Sequence, residues 1–453
     1  MRQEQDSLGT LEVPDGLWGI HTQRALRNFP FSGRRVAPRL LRALALVKQA
    51  CARTNLELGC LPPEVGAAII RAAEVVAAGG HAEAFPLPAL QGGAGTSINM
   101  NMNEVLANLA LAELGGAAGD YARVSPLDHV NLHQSTNDVF PTAVKLACIG
   151  ALRELSAALA ALQDALQARE RQWAAVLTVG RTELVAAVPM TMGAQFASFA
   201  EAISRDRWRT FKCEERLRVV NLGGTAIGTS LGAPRRYVLR VVDHVRELSR
   251  YGVARAENLM DQTANADVFA EVGGCLAACA ANLGRIGEDL RRLQLVGELR
   301  LPAVQAGSSL MPGKVNPVVA EASVAVSMKV RARMGLVNEA VARGSLQLNE
   351  WMPMIADETL QALDELLTTT GMLTGHVAQI EPVPAVCERH VWESHALVTA
   401  FVPYIGYARC AELVQRFETG TQRDWRAFLT AELGEELVAR ALAPAALLAA
   451  GGR

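Results

Sequence analysis

Three features of this 453-residue chain predict an all-α fold. Five or six long runs keep their apolar residues at three- and four-residue spacing, and no period-2 alternation separates them. Half the residues are apolar but only 5% are aromatic, so Ala, Leu and Val must fill the interior. Small aliphatic side chains suit closely packed helices. The lengths of the runs divide the chain into three regions: an N-terminal helical domain (1–137), a central long-helix bundle (138–388) and a small C-terminal helical domain (389–453).

Residues 8–35 contain Pro14, Gly16, Gly19, Pro30 and Gly33 and are expected to be irregular. Helical spacing begins near Leu40, in LLRALALVKQACARTNLEL, and stops at Pro62-Pro63. A second helix is expected over about 64–76, with Gly79-Gly80 closing it. The irregular FPLPALQGGAGTS leads to a helix over about 103–114. After Pro141, a good first-turn residue, helical spacing runs over about 142–176, a rod of roughly 50 Å at 1.5 Å per residue. Comparable runs cover about 193–219, 235–251, 267–295, 317–338 and 359–380, and the elements shorten again from about Glu388. The Ala-rich faces are wide enough for each long helix to pack on more than one neighbour, which predicts oligomerisation.

Charge is balanced, with 44 Lys and Arg against 46 Asp and Glu, and no long single-sign run points to nucleic acid or an anionic membrane. The polar start MRQEQDSLGT lacks the apolar segment of a signal peptide. No window approaches a membrane span, and the Ala-Leu tail at 437–450 is broken by Pro444. Eight cysteines without a C-x-x-C pair read as reduced, buried thiols in a cytoplasmic protein, with Cys275 and Cys279 on one helix face.

Four polar, Gly-punctuated stretches interrupt the helical plan: GGAGTSINMNMNE at 92–104, DHVNLHQSTND at 128–138, GRTELVAAVPMTMG at 180–193 and GSSLMPGKVN at 307–316. Singly, each has a plain reading as a Gly-rich turn, a capping segment supplied by Ser135, Thr136 or Asn137, or a connector between bundle helices. The first lacks the Lys-Ser/Thr of a phosphate loop, and Pro86 and Pro88 stand where a dinucleotide-binding turn needs a strand. Together they supply Thr96, Ser97, Ser135, Thr136, Asn137, Thr182, Ser308, Ser309 and Asn316 as neutral groups, with Lys314 as the cation. Such a set suits the two carboxylates of a small dicarboxylate. The eight histidines lie apart, and no His/Asp/Glu cluster has metal-ligand spacing, so no metal is expected.

These motifs resemble those of the aspartase/fumarase superfamily. GSSLMPGKVN matches its signature, and GGAGTSINMNMNEVLANLA and GRTELVAAVPMTMG look like its other two conserved regions. The similarity starts at LGTLEVPDGLWGIHTQRA and covers nearly the whole chain. HVNLHQSTNDVFPTA and GSLQLNEWMPMI look more like the aspartate ammonia-lyase and class II fumarase branch than like argininosuccinate or adenylosuccinate lyases. The resemblance implies a three-domain, all-helical subunit, a homotetramer with each active site built from three subunits, and reversible anti elimination yielding fumarate. Ser308 would remove the C3 proton. Lys314, Asn316 and Thr182 would hold the carboxylate next to the leaving group. Thr96, Ser135, Thr136 and Ser309 would hold the other as it becomes an aci-carboxylate, and Asn137 and Thr96 would face the leaving amine. No tightly bound cofactor is implied.

The chain departs from the family at Glu183, where relatives carry His or, in some aspartases, Gln. Val185, Ala186, Ala194 and Gln195 also stand where Gln, Asp, Gln and Glu are usual, and His133 and Gly232 are further substitutions. The family His pairs with a Glu matching Glu321, so the resemblance puts two carboxylates in one site, where one of them is pushed to stay protonated. Glu183 would either hold and protonate a leaving amine, or mark a pocket reshaped for another leaving group, or turn away. The leading expectation is a carbon-nitrogen lyase acting on L-aspartate. The alternatives are a lyase for an N-substituted aspartate, a fumarate hydratase and a catalytically retired helical homologue.

Overall fold

The computed structural model describes residues 1–448; the last residues of the Ala-Leu tail and of the C-terminal region lie outside them. Long helices dominate. In chain order the elements are β1 (Arg2–Asp6), β2 (Gly9–Val13), α1 (Ile20–Asn28), α2 (Pro38–Glu57), α3 (Pro63–Ala77), α4 (Thr96–Glu113), α5 (Thr136–Gln172), β3 (Leu177–Thr182), β4 (Val185–Thr191), α6 (Met192–Leu217), α7 (Arg235–Ser249), α8 (Leu259–Ala264), α9 (Asp267–Leu295), α10 (Val318–Val341), α11 (Met352–Val377) and α12 (Pro384–Glu393). Short helices follow up to residue 447.

The described residues form two compact units, each drawn from three stretches of chain. One takes Met1–Ser156, Trp208–Ala278 and Lys329–Leu366; the other takes Ala157–Arg207, Cys279–Met328 and the residues from Leu367 onward.

In the first unit α2 packs on α3 and α7, and α4 on α1 and α3. The contact faces are apolar: Leu44, Val47 and Cys51 on α2, and Tyr237 and Val241 on α7, have no exposed surface. Gly79 ends α3 as expected, in the left-handed region at φ 97°, with Gly80 N–H donating to the Val75 carbonyl and Gly79 N–H to the Val76 carbonyl. Residues 8–35 are more regular than their Gly and Pro content suggests. An antiparallel hairpin pairs Arg2–Asp6 with Gly9–Val13, and α1 follows it. Glu104 of α4 organises this entry. Its carboxylate accepts from the N–H groups of Gly19, His21 and Thr22 and from the Thr22 hydroxyl, serving the open N-terminus of α1.

Helices α4, α5 and α11 start earlier than their periodicity implies, at residues 96, 136 and 352. Pro141 therefore sits inside α5, where a proline ring removes the hydrogen bond to the carbonyl four residues back. The orphaned Asn137 carbonyl accepts instead from the Asn221 side-chain amide at 2.9 Å. The helix runs 37 residues, roughly 55 Å.

In the second unit the stretch expected to connect two bundle helices is a β-hairpin. β3 pairs with β4 in antiparallel register, Thr182 opposite Val185, leaving a two-residue turn. Val179 of β3 enters the small C-terminal core with Val391, Phe401, Leu413, Trp425 and Leu429, where Phe417 and Trp425 pack 4.7 Å apart. All eight cysteines are free thiols; Cys60 is exposed, contrary to the expectation of burial, because it lies in the α2–α3 connection.

Candidate active site

The first unit carries the hydroxyl donors at two helix N-termini. Gly93, Ala94 and Gly95 all have positive φ, and this left-handed run delivers the chain to Thr96, the first residue of α4, which is exposed. Gly95 is required at φ 92° because a Cβ there would lie 2.8 Å from the Phe140 ring. The helix start has no side-chain cap; Thr96 N–H donates to the Gly93 carbonyl at 2.9 Å and Asn99 N–H to the Gly95 carbonyl at 3.0 Å, and the positive end of the helix favours an anion there.

At α5, Ser135 is the cap. Its hydroxyl accepts from Asn137 N–H at 3.2 Å, while Asp138 accepts from Ser135 N–H at 3.0 Å, a reciprocal capping box. The other oxygen of Asp138 accepts from Gly223 and Thr225 N–H, pinning the loop before α7 to this helix start. Burial pushes the Asp138 carboxyl up to about 6 despite these three backbone donors. Thr136 is buried and its hydroxyl accepts from Asn99 at 3.0 Å. Asn137 donates its amide to the Ala226 carbonyl at 2.8 Å, which leaves its Oδ1 as an acceptor.

The second unit carries the remaining candidates. In 307–316, Gly307 N–H donates to the Lys314 carbonyl at 2.8 Å and the Asn316 amide to the Gly307 carbonyl at 2.8 Å, closing a tight loop. A Cβ on Gly307 would meet the Lys314 carbonyl oxygen at 2.7 Å, so only glycine fits. Within this loop the Ser308 hydroxyl oxygen accepts from two backbone amides, Leu310 at 3.1 Å and Met311 at 2.9 Å. Donors fixed on that oxygen stabilise its deprotonated form. Ser309 and Lys314 are exposed on the loop.

Thr182 and Glu183 lie at the exposed end of the β3–β4 hairpin, where Glu183 and Leu184 adopt φ 51° and 65°. A two-residue turn needs two left-handed residues, a geometry that favours Asn-Gly. Glu183 lines a cleft of about 290 Å³ with Arg181, Arg285, Asp289 and Arg292. Glu321, in the first turn of α10, lines a different groove with Glu288, Arg291 and Arg292 and faces Arg291 at 3.6 Å. Within one chain the two carboxylates thus occupy different clefts that share Arg292.

Several residues of evident consequence are absent from the motif reading. Arg181, beside Thr182, makes a two-pronged ion pair with Glu298 at 2.7 and 2.9 Å, and His390 of α12 bonds the same carboxylate at 2.8 Å. Glu298 has no exposed surface; burial pushes its carboxyl up, but Arg181 and His390 outweigh that and hold it below the usual range. This buried knot anchors the hairpin at Arg181, immediately before Thr182 and Glu183. Lys48, Asn99 and Asn131 behind Thr136 were also missed. A lysine inside the apolar run LALVKQACA was their visible sign. Among the described residues, no group of three or more His, Cys, Asp or Glu is arranged to hold a metal.

Hydroxyls at two helix starts in the first unit, and in the second a serine held on amides in one loop with an exposed lysine, are groups suited to binding small anions. A protein-family model described as a lyase matches residues 9–332, and the chain belongs to this lyase family, the aspartase/fumarase superfamily. It is 37% identical to an aspartate ammonia-lyase of a Bacillus species over 96% of this chain and 93% of that protein. It is 40% identical to a class II fumarate hydratase of Nitrosomonas europaea over 92% of each. The crystal structure of a fumarate lyase:delta crystallin from Brucella melitensis in native form superimposes with a TM-score of 0.91 at 39% identity, over 98% of this chain and all of that one.

Proposed function

We propose that the protein is an ammonia-lyase that eliminates ammonia from L-aspartate to give fumarate. The observation that carries this reading is the Ser308 hydroxyl held by two backbone amides on a loop that also bears Lys314. A serine base needs its pKa lowered by about five units, roughly 7 kcal/mol of differential stabilisation, and fixed amide donors with a nearby cation supply part of it. Ser308 takes the C3 proton, and the C–H electron pair moves into the adjacent carboxylate to form an aci-carboxylate. Thr96, Ser135, Thr136 and Ser309 bind those oxygens as charge develops. The pair then returns to form the C2–C3 double bond as the C2–N bond breaks and ammonia departs. Lys314, Asn316 and Thr182 hold the other carboxylate, Asn137 Oδ1 and Thr96 receive the ammonium, and Glu183 and Glu321, which line different clefts of one chain, are the candidate acids for that step. Loop closure excludes water and completes the site.

Following the family resemblance, we assign the working form to a homotetramer with each site drawn from three subunits, and from the sequence we place it in the cytoplasm. Glu183 supports a second reading, a leaving group other than ammonia, because a carboxylate replaces the family His. The test is the ultraviolet absorbance of fumarate after adding L-aspartate, malate or argininosuccinate separately. Aspartate alone giving signal supports the proposal; malate alone would move the assignment to hydration, and silence from all three would exclude these simple substrates.

A further inference from the structure

Lys48 lies in the middle of α2 with no exposed surface, and no carboxylate among the described residues lies within ion-pair distance of its ammonium. It donates instead to two side-chain carbonyls, Asn131 Oδ1 at 3.0 Å and Gln134 Oε1 at 2.9 Å. Asn131 Oδ1 also accepts from Asn99 at 3.2 Å and Asn103 at 3.1 Å, and Asn99 donates onward to the Thr136 hydroxyl at 3.0 Å. Seven residues along α2, Asn55 donates to the Leu132 carbonyl and its Oδ1 bonds His133 Nδ1 at 2.7 Å. One face of α2 therefore grips the 130–134 loop from behind and reaches Thr136 through two amides. A buried cation with no carboxylate in ion-pair contact is costly, and this loop receives all of its hydrogen bonds.

We propose that Lys48 is a positioning residue: a buried cation behind the Ser135–Thr136 wall that orders the loop and favours binding of a dianion in front of it. This rests on the dicarboxylate reading. The titratable groups facing Lys48 are few. Cys51 lies on its own helix, α7 adds Tyr237 beside Cys51, and α5 adds Asp138. The loop adds His133, whose ring packs on Tyr237 5.4 Å away. From α4 only the amides of Asn99 and Asn103 reach this network, and Glu74 of α3 is taken up by Gln49 and Arg53. Burial pulls the Lys48 ammonium down to about 7, so dianion affinity falls as pH rises through and above neutrality. Asp138 ionises near 6 and gives a separate effect at lower pH.

Succinate, a dianion without a leaving group, is the probe, titrated calorimetrically into the assembled protein from pH 6 to 9. The wild-type chain is expected to bind with proton uptake near pH 7.5 and to weaken towards pH 9. Lys48→Met is expected to bind on the order of tenfold more weakly at pH 7, with the alkaline loss and the uptake near pH 7.5 gone. Unchanged affinity and pH dependence in Lys48→Met overturns the proposal. If that variant does not fold, Asn131→Asp supplies a counter-ion and moves the alkaline limb to higher pH; a limb that stays in place overturns it equally. Turnover of L-aspartate is scored separately, so failure of the substrate assignment is distinct from failure at Lys48.

Discussion

Ser308 and Glu183 separate the reaction from its substrate. Ser308→Ala removes the hydroxyl proposed to take the proton, and fumarate formation is expected to drop by at least about 10³-fold in a steady-state assay while the melting temperature holds, because the residue sits in a surface loop. Retained turnover would dismiss it as the base. Glu183 occupies a left-handed turn position that costs an L-residue roughly 1–2 kcal/mol. Glu183→Gln keeps the side-chain shape and removes the proton. Loss of turnover with an altered pH–rate profile is expected if the carboxyl serves the departing amine; unchanged activity with aspartate reduces it to a polar contact. At this scale the motifs made the candidate residues legible by type. Their supports were not, because a hydrogen bond such as Arg181 to Glu298 spans over a hundred residues and leaves no spacing to read.

At the scale of elements, long helices were legible because a 3.6-residue apolar period persists over many turns, as in 267–295, where expectation and structure coincide. Their starts were less so. Pro141 reads as a first-turn residue, yet α5 begins five residues earlier because Ser135 and Asp138 cap it and Asn221 relieves the proline. The β3–β4 hairpin escaped because its turn is Glu-Leu, without the Asn or Gly that announces a left-handed pair.

Two element-level outcomes follow from this geometry. Gly307→Ala forces a Cβ onto the Lys314 carbonyl, and activity is expected to fall by more than tenfold with little change in urea midpoint, since the damage is confined to an exposed loop. At α5, Asp138 has its pKa raised on folding, so the folded state holds the proton more tightly. Its contribution is fully present below about pH 4 and is lost as pH rises through about 6. Urea unfolding should show the gap between the native chain and Asp138→Asn widening by on the order of 2 kcal/mol from pH 7 to pH 4. A constant gap would mean that the carboxyl is ionised throughout.

For the whole molecule, the proposed sharing of each site between subunits has a direct signature. Ser308→Ala and Thr136→Val are expected to be inactive alone, and co-assembly of the two in equal amounts should restore about a quarter of native activity, since some sites draw both intact residues from different chains. No recovery in mixed tetramers would place both residues in one chain's site. The all-helical class was legible from composition and period. The division of the described residues into two compact units was not, because each unit gathers stretches separated by long intervals of sequence, and local patterns carry no information on which distant stretches meet.

That interleaving bears on how the protein is made. A ribosome adding about 5–20 residues per second has finished Met1–Ser156 long before Lys329–Leu366 emerges, a wait of roughly 10–40 s. Through that interval the apolar faces of the early helices lack their last partner. A nascent chain of this kind is expected to stay protease-sensitive until synthesis passes residue 366, and no single cut in the gene parts the two units into two complete fragments.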